Sequence, residues 1–180
     1  METTEKVVES YCRYVRGCFT IPNLRCKGQY EVDLLAIATD EHGDVQRWHV
    51  ECGVSISGSF SKLTAKSFSH SELKKRVAGP SQRRTVGYFL ERKFNLEEVL
   101  ETLATHGFRP GNYRRAIVTW DATEDAVDAA ETEGIEIWYF PNLLLEIARA
   151  HEKHSGYLID DTARTIQLYA MAEKWKQKNG

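Results

Sequence analysis

The sequence predicts an α/β fold built on a mixed five-stranded sheet, in a single domain of 180 residues. Three observations carry that expectation. Gly28–Gly53 (GQYEVDLLAIATDEHGDVQRWHVECG) reads as a β-hairpin, two apolar-rich runs flanking a polar turn. Arg114–Phe140 reads as strand, helix and strand with tight turns, which makes a parallel pair with a right-handed crossover. Helical patterns stand before the hairpin, between it and the βαβ unit, and after that unit.

In chain order, Thr3 and Thr4 are placed to cap a helix over about residues 4–16, stopped by Gly17. Val7, Val8, Tyr11 and Val15 form its apolar stripe. Glu9 and Arg13 lie off that stripe, four residues apart and able to pair on the surface. Cys18–Arg25 is a first strand, with Pro22 marking an edge or an irregularity. The hairpin strands are Glu31–Thr39 and Val45–Ile56, joined by Asp40–Asp44.

Residues 57–112 form a long, mostly polar or helical crossover. Ser57-Gly58-Ser59 is loop-like, Ser69 or Ser71 caps a helix through about Ala78, and Gly79-Pro80 ends it. Arg83–Phe94 is a second helix of this stretch. Asn95 is placed to cap a third, with Leu96, Val99, Leu100 and Leu103 as its buried face. Arg114–Trp120 is a strand apolar at its centre, Thr123–Glu133 a helix stopped by Gly134, and Ile135–Phe140 a strand. Pro141 opens a helix through about His151. The last helix runs from about Asp160 to Lys176, with Ile166, Tyr169, Ala170 and Trp175 set to close it onto the body.

The hydrophobic fraction of 42% and charged fraction of 28% are those of a soluble globular chain. No apolar run approaches the ~20 residues that span a bilayer, so no membrane partner is expected. METTEKVVES lacks the basic start and apolar middle of a signal peptide, which points to a cytoplasmic or nuclear protein. Cys12, Cys18, Cys26 and Cys52 lack C-x-x-C pairing and read as reduced, packed thiols rather than zinc ligands or disulfides. No Gly-rich phosphate loop is present. The formal net charge is −2, yet basic residues outnumber acidic ones over residues 1–93 and the reverse holds afterwards. Lys74-Lys75-Arg76, Arg83-Arg84 and Arg92-Lys93 concentrate that positive charge, either as a surface for phosphates or as solvated helix faces.

The chemistry lies in the hairpin. Strand side chains alternate faces, so Glu31 and Asp33 share a face, as do His49, Glu51 and position 53. In a register that makes those faces coincide, Asp33 and Glu51 become neighbours. Two carboxylates held together are costly unless a cation neutralises them.

Asp33, a hairpin turn, and then Glu51-Cys52-Gly53 resemble the core of the PD-(D/E)xK, or restriction-endonuclease-like, superfamily. The resemblance implies an αβββαβ core, with residues 57–112 as a helical insertion. It implies a metal-dependent nuclease acting on DNA, alone, as a homodimer or with a protein partner. Its metal, Mg²⁺ with Mn²⁺ as a substitute, would be held by Asp33, Glu51 and the carbonyl of Cys52. Glu9 stands in the place of the first-helix glutamate that often assists, with Glu5 as a weaker substitute. Nucleic acid would be met by Lys74, Lys75, Arg76, Arg83 and Arg84.

The chain departs from the family at Gly53, where the motif has its lysine. Three outcomes are open. Lys62, Lys66 or Lys74 supplies the missing ammonium. His49 acts as a base from the same face as Glu51. Or catalysis is lost and the fold binds nucleic acid or scaffolds a protein complex.

Overall fold

The computed structural model describes residues 2–54, 62–68, 83–153 and 160–179 of the chain. Helix α1 (Thr3–Tyr14) precedes three strands, β1 (Phe19–Arg25), β2 (Glu31–Thr39) and β3 (Val45–Cys52). Helix α2 (Val86–Phe89) runs directly into a π turn over Leu90–Phe94, and α3 (Glu97–Thr105) follows. Strand β4 (Arg114–Thr119), helix α4 (Glu124–Thr132) and strand β5 (Ile135–Tyr139) lead to α5 (Phe140–Lys153) and α6 (Asp161–Asn179).

The five strands stand in sequence order in one sheet. β1–β2 and β2–β3 are antiparallel, and β3–β4 and β4–β5 parallel, so the sheet is mixed, as the sequence implies. The period-2 alternation of the strands sorts their side chains between two cores. Leu34, Ala36, Trp48 and Val50 pack with Val8 of α1 and Ile147 of α5 on one face. On the other face Leu35 packs with Val99 and Leu103 of α3, and Ile117 packs with Phe89, Phe94 and Ala126. This second face carries the odd-numbered residues of β2 and β3, Asp33 and Glu51 among them.

Several local expectations change. Helix α1 is capped by Glu2 rather than by Thr3 or Thr4. Glu2 and Glu5 form a reciprocal capping box in which each side chain accepts from the other's backbone, satisfying two otherwise unpaired N–H groups. Strand β3 ends at Cys52 rather than Ile56; residues 55–61, and with them Ser57-Gly58-Ser59, lie outside the described residues, as does the helix expected through Ala78.

The helix expected over Arg83–Phe94 starts only at Val86, capped by Thr85, whose Oγ1 accepts from Tyr88 N at 3.1 Å. It then widens, because Phe89 and Phe94 both point inward although five residues apart. A regular α-helix would rotate one of them away; a turn closed by Asn95 N donating to Leu90 O at 2.9 Å keeps both. Asn95 is thus spent on the π turn, and α3 starts from Leu96 without a side-chain cap.

The last helix also differs. Asp160 caps it through Ala163 N at 2.7 Å, and Ala163, Ile166 and Gln167 set its inward face. Tyr169 and Trp175 fall off that face and are each 69% exposed. All four cysteines are free thiols, with Cys12 and Cys18 buried. Among the described residues no helix is long and apolar enough to cross a membrane.

Candidate active site

The β2–β3 ladder pairs Leu35 with His49 and Leu34 with Val50. One step further in that register sets Asp33 across from Glu51, the neighbourhood that the alternation of the hairpin implied. Asp33 Oδ2 accepts the backbone N–H of Cys52 at 2.7 Å, so the side chain ties the two strands where the ladder ends. Glu51 is fully buried and the Asp33 side chain is 15% exposed.

The ammonium that meets them comes from Lys93, in the π turn. Its Nζ lies 2.5 Å from Glu51 Oε2, as an ion pair, and donates to Asp33 Oδ1 at 3.0 Å and to the carbonyl of Glu31 at 3.0 Å. Two of its protons thus have hydrogen-bond acceptors, while Glu51 Oε2 is held by charge and has no hydrogen-bond partner. The sequence placed Lys93 in a basic surface run; instead its side chain is only 19% exposed.

Position 53 itself has no room for a side chain. A Cβ at position 53 would stand 3.0 Å from Phe89 Cζ and 3.4 Å from the carbonyl oxygen of Val118. Helix α2 therefore rests on the backbone at Gly53, and its Phe89 ring takes the room a side chain there would need. Lys93 lies four residues after Phe89, about one helical turn on.

One ammonium faces two carboxylates, which leaves one negative charge uncompensated. Burial, and then the charge of Glu51, raises Asp33 from its ordinary range to about 7, against the pull of Lys93 and the Cys52 N–H. Burial likewise raises Glu51, with Lys93 opposing. For Lys93, burial favours the neutral amine, but Glu51 and Asp33 together outweigh it and hold the group protonated above the usual lysine range.

His49 lies beneath this cluster, fully buried, with Nε2 2.7 Å from Glu51 Oε1. Phe94 meets its ring edge-on at 4.9 Å. Burial, and then the positive charge of Lys93, lower His49 to about 3, so it is a neutral imidazole packed in the interior rather than a base open to a substrate. Burial pushes the Cys52 thiol up to about 12, which removes it as a nucleophile.

The other expected residues lie apart from this cluster or outside the described residues. Glu9 accepts from Thr20 Oγ1 at 3.0 Å and pairs with Arg13 at 3.9 Å. Glu5 is the α1 carboxylate whose charge is felt at Cys52, and it is held by Asn23 Nδ2 at 3.1 Å. Lys62 pairs with Asp121 at 2.8 Å on the surface, and Lys66 is exposed. Arg83 is exposed and Arg84 half-buried. Lys74, Lys75 and Arg76 lie outside the described residues.

Carboxylate oxygens are the kind of donor that a hard cation takes. Two carboxylates converge on one positive group, so the ammonium marks where positive charge is required. Among the described residues no group of three His, Cys, Asp or Glu side chains is gathered as ligands. A divalent ion here would complete its shell with water, as Mg²⁺ commonly does.

No family model matches the sequence, and no curated protein matches it. A solved structure of a protein of unknown function, AF1548, is similar at a TM-score of 0.46 and 17% identity, covering 79% of this chain and 65% of that one.

Proposed function

We propose that the protein is a metal-dependent phosphodiesterase of the PD-(D/E)xK kind that hydrolyses nucleic acid, with DNA as the substrate. The observation that carries this reading is the place of Lys93. The motif lysine is missing at Gly53, and an ammonium reaches both carboxylates from the helix that lies over Gly53, 2.5 Å from Glu51 and 3.0 Å from Asp33. Lys93 takes the part that the sequence had offered to Lys62, Lys66, Lys74 or His49.

Asp33, Glu51 and the carbonyl of Cys52 would hold the metal. Bound Mg²⁺ or Mn²⁺ supplies an activated water and a partner for charge on a phosphate oxygen. Lys93, kept protonated by its two acids, acts as a fixed cation that stabilises growing negative charge rather than as a base. His49 takes no proton from substrate, since it is sealed from solvent.

A second reading has one observation in its favour. Lys93 donates to Glu31 and Asp33 and pairs with Glu51, so its ammonium is already held by protein groups. That suits a non-catalytic module that binds nucleic acid or scaffolds a complex. The two readings separate in a cleavage assay with Mg²⁺ or Mn²⁺ on supercoiled, linear and single-stranded DNA and on RNA. Metal-dependent cleavage that is lost in Asp33→Ala/Glu51→Ala supports the phosphodiesterase. Absence of cleavage, with salt-sensitive binding that survives the double substitution, supports the module.

A further inference from the structure

We infer that His49 is a positioning residue, whose Nε2–H holds Glu51 Oε1 so that only the Oε2 edge of that carboxylate is turned toward Lys93 and an incoming cation. The inference rests on the phosphodiesterase reading for its consequence in metal binding, and on geometry alone for the anchor itself.

Glu51 pairs through Oε2 with the Lys93 ammonium at 2.5 Å, so it is a carboxylate, which only accepts hydrogen bonds. The proton in the 2.7 Å contact between His49 Nε2 and Glu51 Oε1 therefore sits on the imidazole. His49 Nδ1 is buried without a hydrogen-bond partner among the described residues. It is then the bare acceptor nitrogen.

The ring cannot turn easily to other work. Phe94 meets it edge-on, with planes 79° apart, and Tyr113 stands 6.4 Å away. His49 and Glu51 are two residues apart on β3 and so emerge on one face, which is what brings the donor to the carboxylate. Phe94 belongs to the same π turn as Lys93, so one turn of chain both delivers the ammonium to Oε2 and locks the donor for Oε1.

Without that donor, Oε1 is left unpaired in the interior and Glu51 is released from one of its two anchors. Groups that orient a metal ligand from behind commonly carry about 10–100-fold in metal affinity. His49→Phe keeps an aromatic ring beside Phe94 and removes the N–H. His49→Gln restores an N–H at a similar reach.

The test is Mn²⁺ binding to the full chain by calorimetry, with folding checked by circular dichroism and the wild-type imidazole read by ¹⁵N NMR. The expected result is a fall of about 10–100-fold in Mn²⁺ affinity for His49→Phe, with His49→Gln restoring it to within about threefold. Unchanged affinity in folded His49→Phe, or an equal loss in both folded variants, overturns the inference. If His49→Phe does not fold, the imidazole spectrum decides: the Nε2–H tautomer supports the anchor, and the Nδ1–H tautomer overturns it. A wild-type chain with the Nε2–H tautomer but no Mn²⁺ binding supports the anchor and overturns the phosphodiesterase reading.

Discussion

The Phe89 ring stands where a side chain at Gly53 would begin, with Phe89 Cζ 3.0 Å from the position of a Cβ there. Phe89 is buried and packed with Leu63, Phe94 and Ile117, so it has little room to yield. Gly53→Ala is expected to destabilise the fold by about 1–3 kcal/mol, the usual cost of overpacking a filled core. Gly53→Lys in a Lys93→Met background is expected not to restore activity, because the new side chain enters where Phe89 already sits. Urea denaturation and cleavage rate check the two parts. A stable Gly53→Lys/Lys93→Met protein with near wild-type rate would show that the two positions are interchangeable.

Lys93 and the other lysines should separate cleanly. Lys62 holds Asp121 at the surface and Lys66 is exposed, and neither is in contact with the carboxylates. Lys62→Met and Lys66→Met are expected to leave the cleavage rate within about twofold of wild type, with stability changed by less than about 0.5 kcal/mol. Single-turnover kinetics on a DNA substrate measures this.

Removing the ammonium should be costly to the fold itself. Lys93→Met leaves two buried carboxylates without a counter-charge, and breaking a buried pair in this way typically costs about 3–5 kcal/mol. Glu51→Gln added to Lys93→Met should recover part of that loss, since one of the stranded charges is gone. A double-mutant cycle by denaturation at pH 8 reads the coupling. A loss below about 1 kcal/mol for Lys93→Met would mean that the cluster is effectively solvated.

Asp33 makes a pH prediction whose sign is fixed by its raised value of about 7 against 3.8 for an ordinary aspartate. Below pH 4 the folded and unfolded chains both hold the proton. Between about pH 4 and 7 the folded chain holds more protons than the unfolded one, so stability falls as pH rises through that window. Glu51, also raised, acts in the same direction. Lys93 acts in the same direction but later: its contribution is complete below the ordinary lysine range and is lost only at more alkaline pH. Asp33→Asn should flatten the decline between about pH 4 and 7, as read from urea midpoints across that range.

The carboxylate pair was legible in the sequence because it depends on local rules. Alternation places Asp33 and Glu51 on chosen faces, and the Asp40–Asp44 turn sets the register that makes those faces coincide. The parallel βαβ unit followed from the same kind of reasoning. Lys93 was not legible, because it lies 40 residues beyond Gly53 and reaches the site only through the packing of α2 on the sheet. Its neighbours Arg92 and Arg84 share its composition and not its place. One signal was available: Phe89 and Phe94, both apolar and five apart, fit no α-helical face, and Lys93 lies between them. His49 was placed on the right face, but alternation says nothing of depth, and complete burial removes the role of base that was one of the options open to it. Glu9 was drawn toward the site by resemblance, whereas the helix phase gives that side of α1 to Thr20 and Arg13.

The most direct measurement is the Mg²⁺-dependent cleavage rate of supercoiled DNA by the wild-type chain and by Lys93→Gln, in a buffer where denaturation shows both folded. Removing one preorganised charge from a phosphoryl-transfer site typically costs about 10²–10³-fold. The expected result is metal-dependent cleavage by the wild type and a loss of that size in Lys93→Gln. Cleavage by Lys93→Gln within about threefold of wild type, or no cleavage by a folded wild-type chain on any nucleic acid, would contradict it.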